Sequence, residues 1–135
     1  MNSPSPIRAE KTTHLLLVDD DPDFRDALGK QLVHAGYTVA LAGDGNEAID
    51  WLRQETPDLV ILDIVMPNKE GLETISALRR SHPKLPVIAI SGGGRIDARD
   101  YLHLAENLGA VAVLAKPFPF TDLVKQITKA LAARA

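Results

Sequence analysis

Five short runs rich in Val, Ile and Leu mark the chain, at 14–18, 37–41, 59–62, 87–90 and 111–114. Three stretches, 15–18, 59–62 and 87–90, are continuous rather than alternating. A strand that is apolar on both sides must be covered on both faces, as in a parallel sheet between two helical layers. Between the runs the apolar period lengthens to that of a helix. Residues 22–35 open on Pro22 after Asp21 and stop at Gly36, the marks of a helix start and end. Residues 44–54 put Ala48, Ile49 and Leu52 on one side, and 70–81 do the same with Leu72, Ile75 and Leu78. A last helix begins near Pro119 or Thr121 and carries Phe120, Leu123, Val124, Ile127 and Leu131 as one stripe. Segment 96–108 also reads as a helix, with its start blurred by Gly92, Gly93 and Gly94. Strand then helix, five times over, predicts an α/β domain with a five-stranded parallel sheet, five helices and right-handed crossovers.

Composition narrows the setting. The 135 residues suit one domain, placed at 14–133, after a tail at 1–13 that is rich in Ser, Pro and charge. There is no cysteine, which removes disulfides and thiolate metal sites. The net charge of -3 supplies no basic field for nucleic acid, so direct nucleic-acid binding is not expected. The first residues lack the apolar core of a signal peptide, and no run is long enough to span a bilayer. The expectation is a cytoplasmic domain without membrane insertion.

In open parallel sheets, function gathers at the carboxyl ends of the strands. Here those ends are polar. The first run leads into Asp19, Asp20 and Asp21, the third into Asp63, the fourth into Ser91 and the fifth into Lys116. Carboxylates about 4 Å apart repel by roughly 4 kcal/mol per pair at an effective dielectric of about 20. Lys116 offsets part of that. The rest calls for a hard cation with oxygen ligands, and Mg2+ fits best. Beside a cation and an ammonium, an Asp carboxylate can attack phosphorus and become an aspartyl phosphate. Ser91 offers a hydroxyl to a phosphoryl oxygen. Asp21 is set apart as the cap of the helix that begins at Pro22. His14, His34, His82 and His103 lack metal-ligand spacing and read as structural or surface groups, none of them a phosphodonor. Trp51, Phe118 and Phe120 read as packing residues.

Four stretches, LLLVDDDP (15–22), LVILDIVMPNKEG (59–71), PVIAISGGG (86–94) and GAVAVLAKPF (109–118), resemble the receiver domains of two-component response regulators. The resemblance runs over about 13–133 and implies a flavodoxin-like, doubly wound sheet of order 2-1-3-4-5. It implies that Asp63 is the phosphoacceptor, that Ser91 is the switch hydroxyl and that Lys116 is the lysine facing the phosphate. Asp20 would bind Mg2+ directly, Asp19 partly through water, and Val65 through its backbone carbonyl. The Lys116–Pro117 peptide would be cis. The implied partners are a histidine kinase or histidine phosphotransfer protein upstream and a partner protein downstream. Output would pass through the face of helix 4, strand 5 and helix 5. The implied protein is a stand-alone receiver or part of a longer chain. It would be a switch rather than an enzyme, acting only in its own phosphorylation and dephosphorylation.

The sequence departs from the family at Val113, where an aromatic residue usually turns inward on phosphorylation. The signal from Asp63 is therefore expected to leave through Ser91 and Gly92–Gly94. Val65 and Gly93 flank the expected path of attacking water and cannot orient it, so self-dephosphorylation is expected to be slow. A Mg2+-dependent phosphohydrolase with an Asp nucleophile is the competing class. Such enzymes place the nucleophile after strand 1 and use a cap over the substrate, for which this length leaves little room. A degenerate, binding-only receiver is opposed by the intact set of Asp19, Asp20, Asp63, Ser91 and Lys116.

Overall fold

The computed structural model describes residues 12–64, 70–92, 103, 106–107 and 109–134. Five strands form a single parallel sheet: β1 (His14–Val18), β2 (Thr38–Ala42), β3 (Leu59–Asp63), β4 (Val87–Gly92) and β5 (Ala112–Lys116). Their order is β2-β1-β3-β4-β5, as the family resemblance implied. Four helices, not five, are complete among the described residues: α1 (Pro22–His34), α2 (Gly45–Leu52), α3 (Glu70–Ser81) and α4 (Phe120–Arg134). The helix predicted at 96–108 lies largely outside the described residues. Of that segment His103, Glu106 and Asn107 are described, and they are helical. The predicted tail likewise lies outside, except for Thr12 and Thr13. The Thr13 carbonyl accepts the Thr38 N–H at 2.9 Å and so anchors the entry to β1.

The continuous apolar strands separate into two cores, one on each sheet face. Leu16, Val18, Val60, Leu62 and Ala89 face one way, with Ala48 and Leu52 of α2 and Ile75 and Leu78 of α3 packed over them. Leu15, Leu17, Leu59, Ile61, Ile88 and Ile90 face the other, under Leu28 and Leu32 of α1 and Leu123 and Ile127 of α4. Period-two alternation along each strand creates this division, and two-sided burial explains why no polar position interrupts the runs. Trp51 joins the first core and Phe118 and Phe120 the second as half-buried packing residues.

Helix boundaries follow local chemistry. Asp21 has extended backbone at the N-cap of α1, and its carboxylate accepts from the N–H groups of Asp23 and Phe24. Asp44 does the same for α2, accepting from the Glu47 N–H. At the end of α1, Gly36 takes φ of 108°, where a side chain would be strained. Gly45 meets a different demand: a Cβ there would collide with the Thr74 hydroxyl, because α2 and α3 pack closely. Among the described residues, no helix is long and apolar enough to cross a membrane.

Three strands run further than their apolar runs. β3 includes Asp63, β4 reaches Gly92 beyond Ser91, and β5 reaches Lys116. The parallel ladder continues through these residues, pairing Asp63 with Ile90, Ser91 with Ala115 and Gly92 with Lys116. The backbone thus fixes the polar groups as rigidly as the core residues before them.

Candidate functional site

The Asp triplet divides its labour over one turn. Asp19 extends the β1–β2 ladder by a step, its N–H donating to the Ala42 carbonyl at 3.1 Å. Its side chain is fully buried, and Oδ1 accepts the Asp21 N–H at 2.9 Å. Asp20 is exposed at the rim, and Asp21 is occupied as the cap of α1. Only Asp19 and Asp20 are therefore open to the site, as expected from Pro22.

Asp63, at the end of β3, is 4% exposed. One carboxylate oxygen from each of Asp19, Asp20 and Asp63 lies within 4.8 Å of the others. Lys116, two strands away on β5, reaches over the same place. Its Nζ donates to Asp19 Oδ2 at 2.9 Å and to Asp63 Oδ2 at 3.2 Å. The following peptide, Lys116–Pro117, is cis. Burial pulls the Lys116 ammonium down, but the hydrogen bonds and charges of Asp19 and Asp63 outweigh it. The net shift is upward from the ordinary lysine value. The lysine is thus held charged by the acids it bridges.

Among the described residues, three carboxylates face one bridging ammonium, with Asp19 and Asp63 buried and Asp20 open to solvent. The donor set is all oxygen, and its spacing suits a small hard cation that keeps several waters. The residues therefore fit Mg2+, with Asp19, Asp20 and Asp63 available to hold it. Val65 lies outside the described residues.

Ser91 is fully buried on β4, beside β3 and one position beyond the residue paired with Asp63. Its hydroxyl donates weakly to the Gly92 carbonyl at 3.4 Å and is not bonded to the acids or to Lys116. Asp19, Asp20, Asp63 and Lys116 are therefore brought together, while Ser91 stands on the neighbouring strand. Val113 is half-buried against the α2–α3 side of the core, paired with Ala89. Gly93 and Gly94 lie outside the described residues.

Two residues of the rim escaped the sequence reading. Phe24 puts its ring 3.8 Å from Lys116 Nζ. Arg25 donates from Nη1 to the Asp19 carbonyl at 3.1 Å, tying α1 to the acidic turn. Both belong to the first turns of α1, just after the Asp triplet, and that position was the available signal. An apolar groove of about 390 Å3 runs between α1 and the edge strand β2, lined by Gly29, Val33, Val39 and Leu41 among others. None of its lining residues belongs to the acidic cluster.

The response regulator receiver domain profile matches residues 15–128. The response regulator MprA of Mycolicibacterium vanbaalenii is 35% identical over 113 residues, covering 84% of this chain and 48% of that protein. Its Mycobacterium bovis counterpart is 34% identical over 116 residues, covering 86% and 49%. The chain spans about half the length of these curated relatives. Among solved structures, the receiver domain of NtrX from Brucella abortus superposes with a TM-score of 0.80 at 32% identity, covering 87% of this chain and 98% of that domain. A CheY-like receiver domain protein from Methanospirillum hungatei gives a TM-score of 0.82 at 27% identity, covering 91% of this chain and 96% of that one. On a likeness that runs from β1 past β5, the chain belongs to the receiver domain family of two-component response regulators.

Proposed function

We propose that this chain is a phosphorylation switch in which Asp63 accepts a phosphoryl group from a phosphohistidine on a kinase or phosphotransfer protein. Membership of the family implies phosphorylation-dependent signalling. One observation carries the finer reading: Lys116 bridges Asp63 to Asp19 inside a cluster of three carboxylates, leaving an acceptor whose surroundings favour an incoming cation and phosphoryl group. An Asp63 oxygen forms the new bond to phosphorus as the bond to the donor imidazole nitrogen breaks. Lys116, held charged, is placed to meet a phosphoryl oxygen. Asp19 and Asp20 would hold Mg2+ with Asp63 and, by family resemblance, the Val65 carbonyl; when bound, the ion would supply charge neutralisation for the phosphoryl group. Ser91 turns its hydroxyl from the Gly92 carbonyl toward the phosphoryl group and so links Asp63 to the loop at 92–94.

Partner binding changes as the two-state equilibrium shifts. With Val113 in place of an aromatic, the change runs through 92–108 and the face built on β5 and α4. The reading keeps the chain in the cytoplasm, with protein partners rather than nucleic acid. Intact mass after incubation with an acyl phosphate and Mg2+ tests it. One phosphoryl group per chain is expected, and none in Asp63→Asn. Equal labelling of that variant would falsify the acceptor assignment, and sustained turnover of diverse phosphomonoesters would favour the phosphohydrolase class.

A further inference from the structure

The Lys116 ammonium has three N–H donors, and its surroundings are of two kinds. Asp19 and Asp63 take hydrogen bonds on one side. On another lies the face of Phe24, its centroid 3.8 Å from Nζ. A phenyl face is negative at its centre and attracts a cation within about 6 Å. The ring is itself held. It meets Phe118 edge to face, with centroids 6.4 Å apart at 80°. Its backbone N–H donates to the Asp21 cap at 3.3 Å. Phe118 lies two residues beyond Lys116, so the ring sits between the ammonium and the turn that follows it.

We propose that Phe24 is a positioning residue for phosphoryl transfer, a π-face on which the Lys116 ammonium rests and slides between Asp19, Asp63 and an incoming phosphoryl oxygen. The proposal rests on the reading of Asp63 as acceptor. Its physical content is a difference in directionality. A carboxylate or carbonyl in the place of the ring would take a charge-assisted hydrogen bond and fix the ammonium. An aliphatic side chain would give the ammonium no attraction on that side. The ring stabilises the charge without demanding one orientation, so Lys116 can exchange one carboxylate for a phosphoryl oxygen and keep its seat. Because Phe24 belongs to the turn that begins with Asp19 and Asp20, the same backbone sets both the acids and the ring under the lysine.

The test replaces Phe24 with phenylalanine carrying one, two or three ring fluorines. The series keeps the shape of the ring and drains its face of negative charge step by step. Two measurements are made on the full chain: the rate of Asp63 labelling by an acyl phosphate with Mg2+, and the chemical shift of the Lys116 ε-methylene protons before labelling. The expected result is an upfield ring-current shift and a rate that falls with each fluorine. At three fluorines the rate is about fivefold lower, which is about 1 kcal/mol at 1.36 kcal/mol per decade. Phe24→Leu should be at least as slow and Phe24→Trp near the parent rate, while the unfolding midpoints of the fluorinated proteins stay together. A flat rate across the series in a chain that labels normally overturns the positioning role alone, as does a Lys116 shift at its random-coil value. Failure of the unmodified chain to label at Asp63 overturns the acceptor reading, and this role with it.

Discussion

The two rims of the sheet both gather polar side chains from separate elements, yet they are built on opposite balances. At the amino ends of the strands, His14 donates its backbone N–H to Asp58 Oδ2 at 2.8 Å, and Asp58 returns its own N–H to the His14 carbonyl at 2.7 Å. The His14 ring lies 2.6 Å from the Thr38 hydroxyl through Nδ1 and 5.4 Å from the Trp51 ring. There a single carboxylate accepts a backbone N–H and the same residue returns its own. At the carboxyl ends, three carboxylates share one bridging ammonium. Polar clustering is common to both, since buried polar groups generally find partners. What separates them, among the described residues, is the gathering of three carboxylates at the second rim. The first rim is a neighbourly exchange of hydrogen bonds, whereas the second has the oxygen donors a small hard cation could use.

Substitutions should therefore act with different signs and different metal dependence at the two rims. The largest effect is expected for Lys116→Met. Removing the ammonium breaks the bridge between two buried carboxylates and should lower metal-free stability by about 3 kcal/mol. Mg2+ at 100 times its dissociation constant should return about 2.7 kcal/mol of that. Urea unfolding with and without Mg2+ reads both numbers, and no rescue by Mg2+ would break the comparison. Next, Asp58→Ala should cost about 1–1.5 kcal/mol by leaving the His14 N–H without its acceptor. Labelling of Asp63 should be unchanged, and Mg2+ should not restore the loss. Asp20→Asn should do the reverse. It relieves repulsion at an exposed position and should raise metal-free stability, by less than about 1 kcal/mol, while weakening stabilisation by Mg2+. A destabilised Asp20→Asn chain would show that the rim is balanced after all.

The smallest effect is alkaline. The folded value of Lys116 lies above its ordinary one, so its contribution is complete below the unfolded lysine value of about 10.4. It is lost as pH rises through the higher folded value. In metal-free protein, the stability gap between the parent chain and Lys116→Met should stay level through neutral pH and close only above that range. A gap that closes below pH 9 would contradict the upward shift.

Much of this architecture was legible because two-sided burial writes a distinctive sequence. Leu15–Val18 and Leu59–Leu62 are apolar at consecutive positions, and only a sheet covered on both faces uses such runs. The triplet was also legible, since Pro22 assigns Asp21 to the cap and leaves Asp19 and Asp20 for the rim. Neighbourhood was not. Periodicity orders the elements along the chain, but the adjacency of β1 and β3 came from family resemblance. The strand ends were drawn short because hydrophobicity marks where a strand is buried, whereas backbone pairing carries it on through Asp63, Ser91 and Lys116. Phe24 was missed for a related reason. An apolar residue in an amphipathic helix looks like core, and its contact with Lys116 exists only once β5 has docked.

That last dependence has a consequence in time. Asp19 and Lys116 are 97 positions apart, and the ion pair that joins them closes across four of the five strands, from β1 to β5. A chain emerging from synthesis through β4 already carries Asp19 and Asp63, but Lys116 has yet to be made. A contact of that sequence separation must overcome a large loop-closure entropy and waits on the last strand. On the reading of Asp63 as acceptor, a copy stalled or cut before the fifth strand lacks Lys116 and should fail to label.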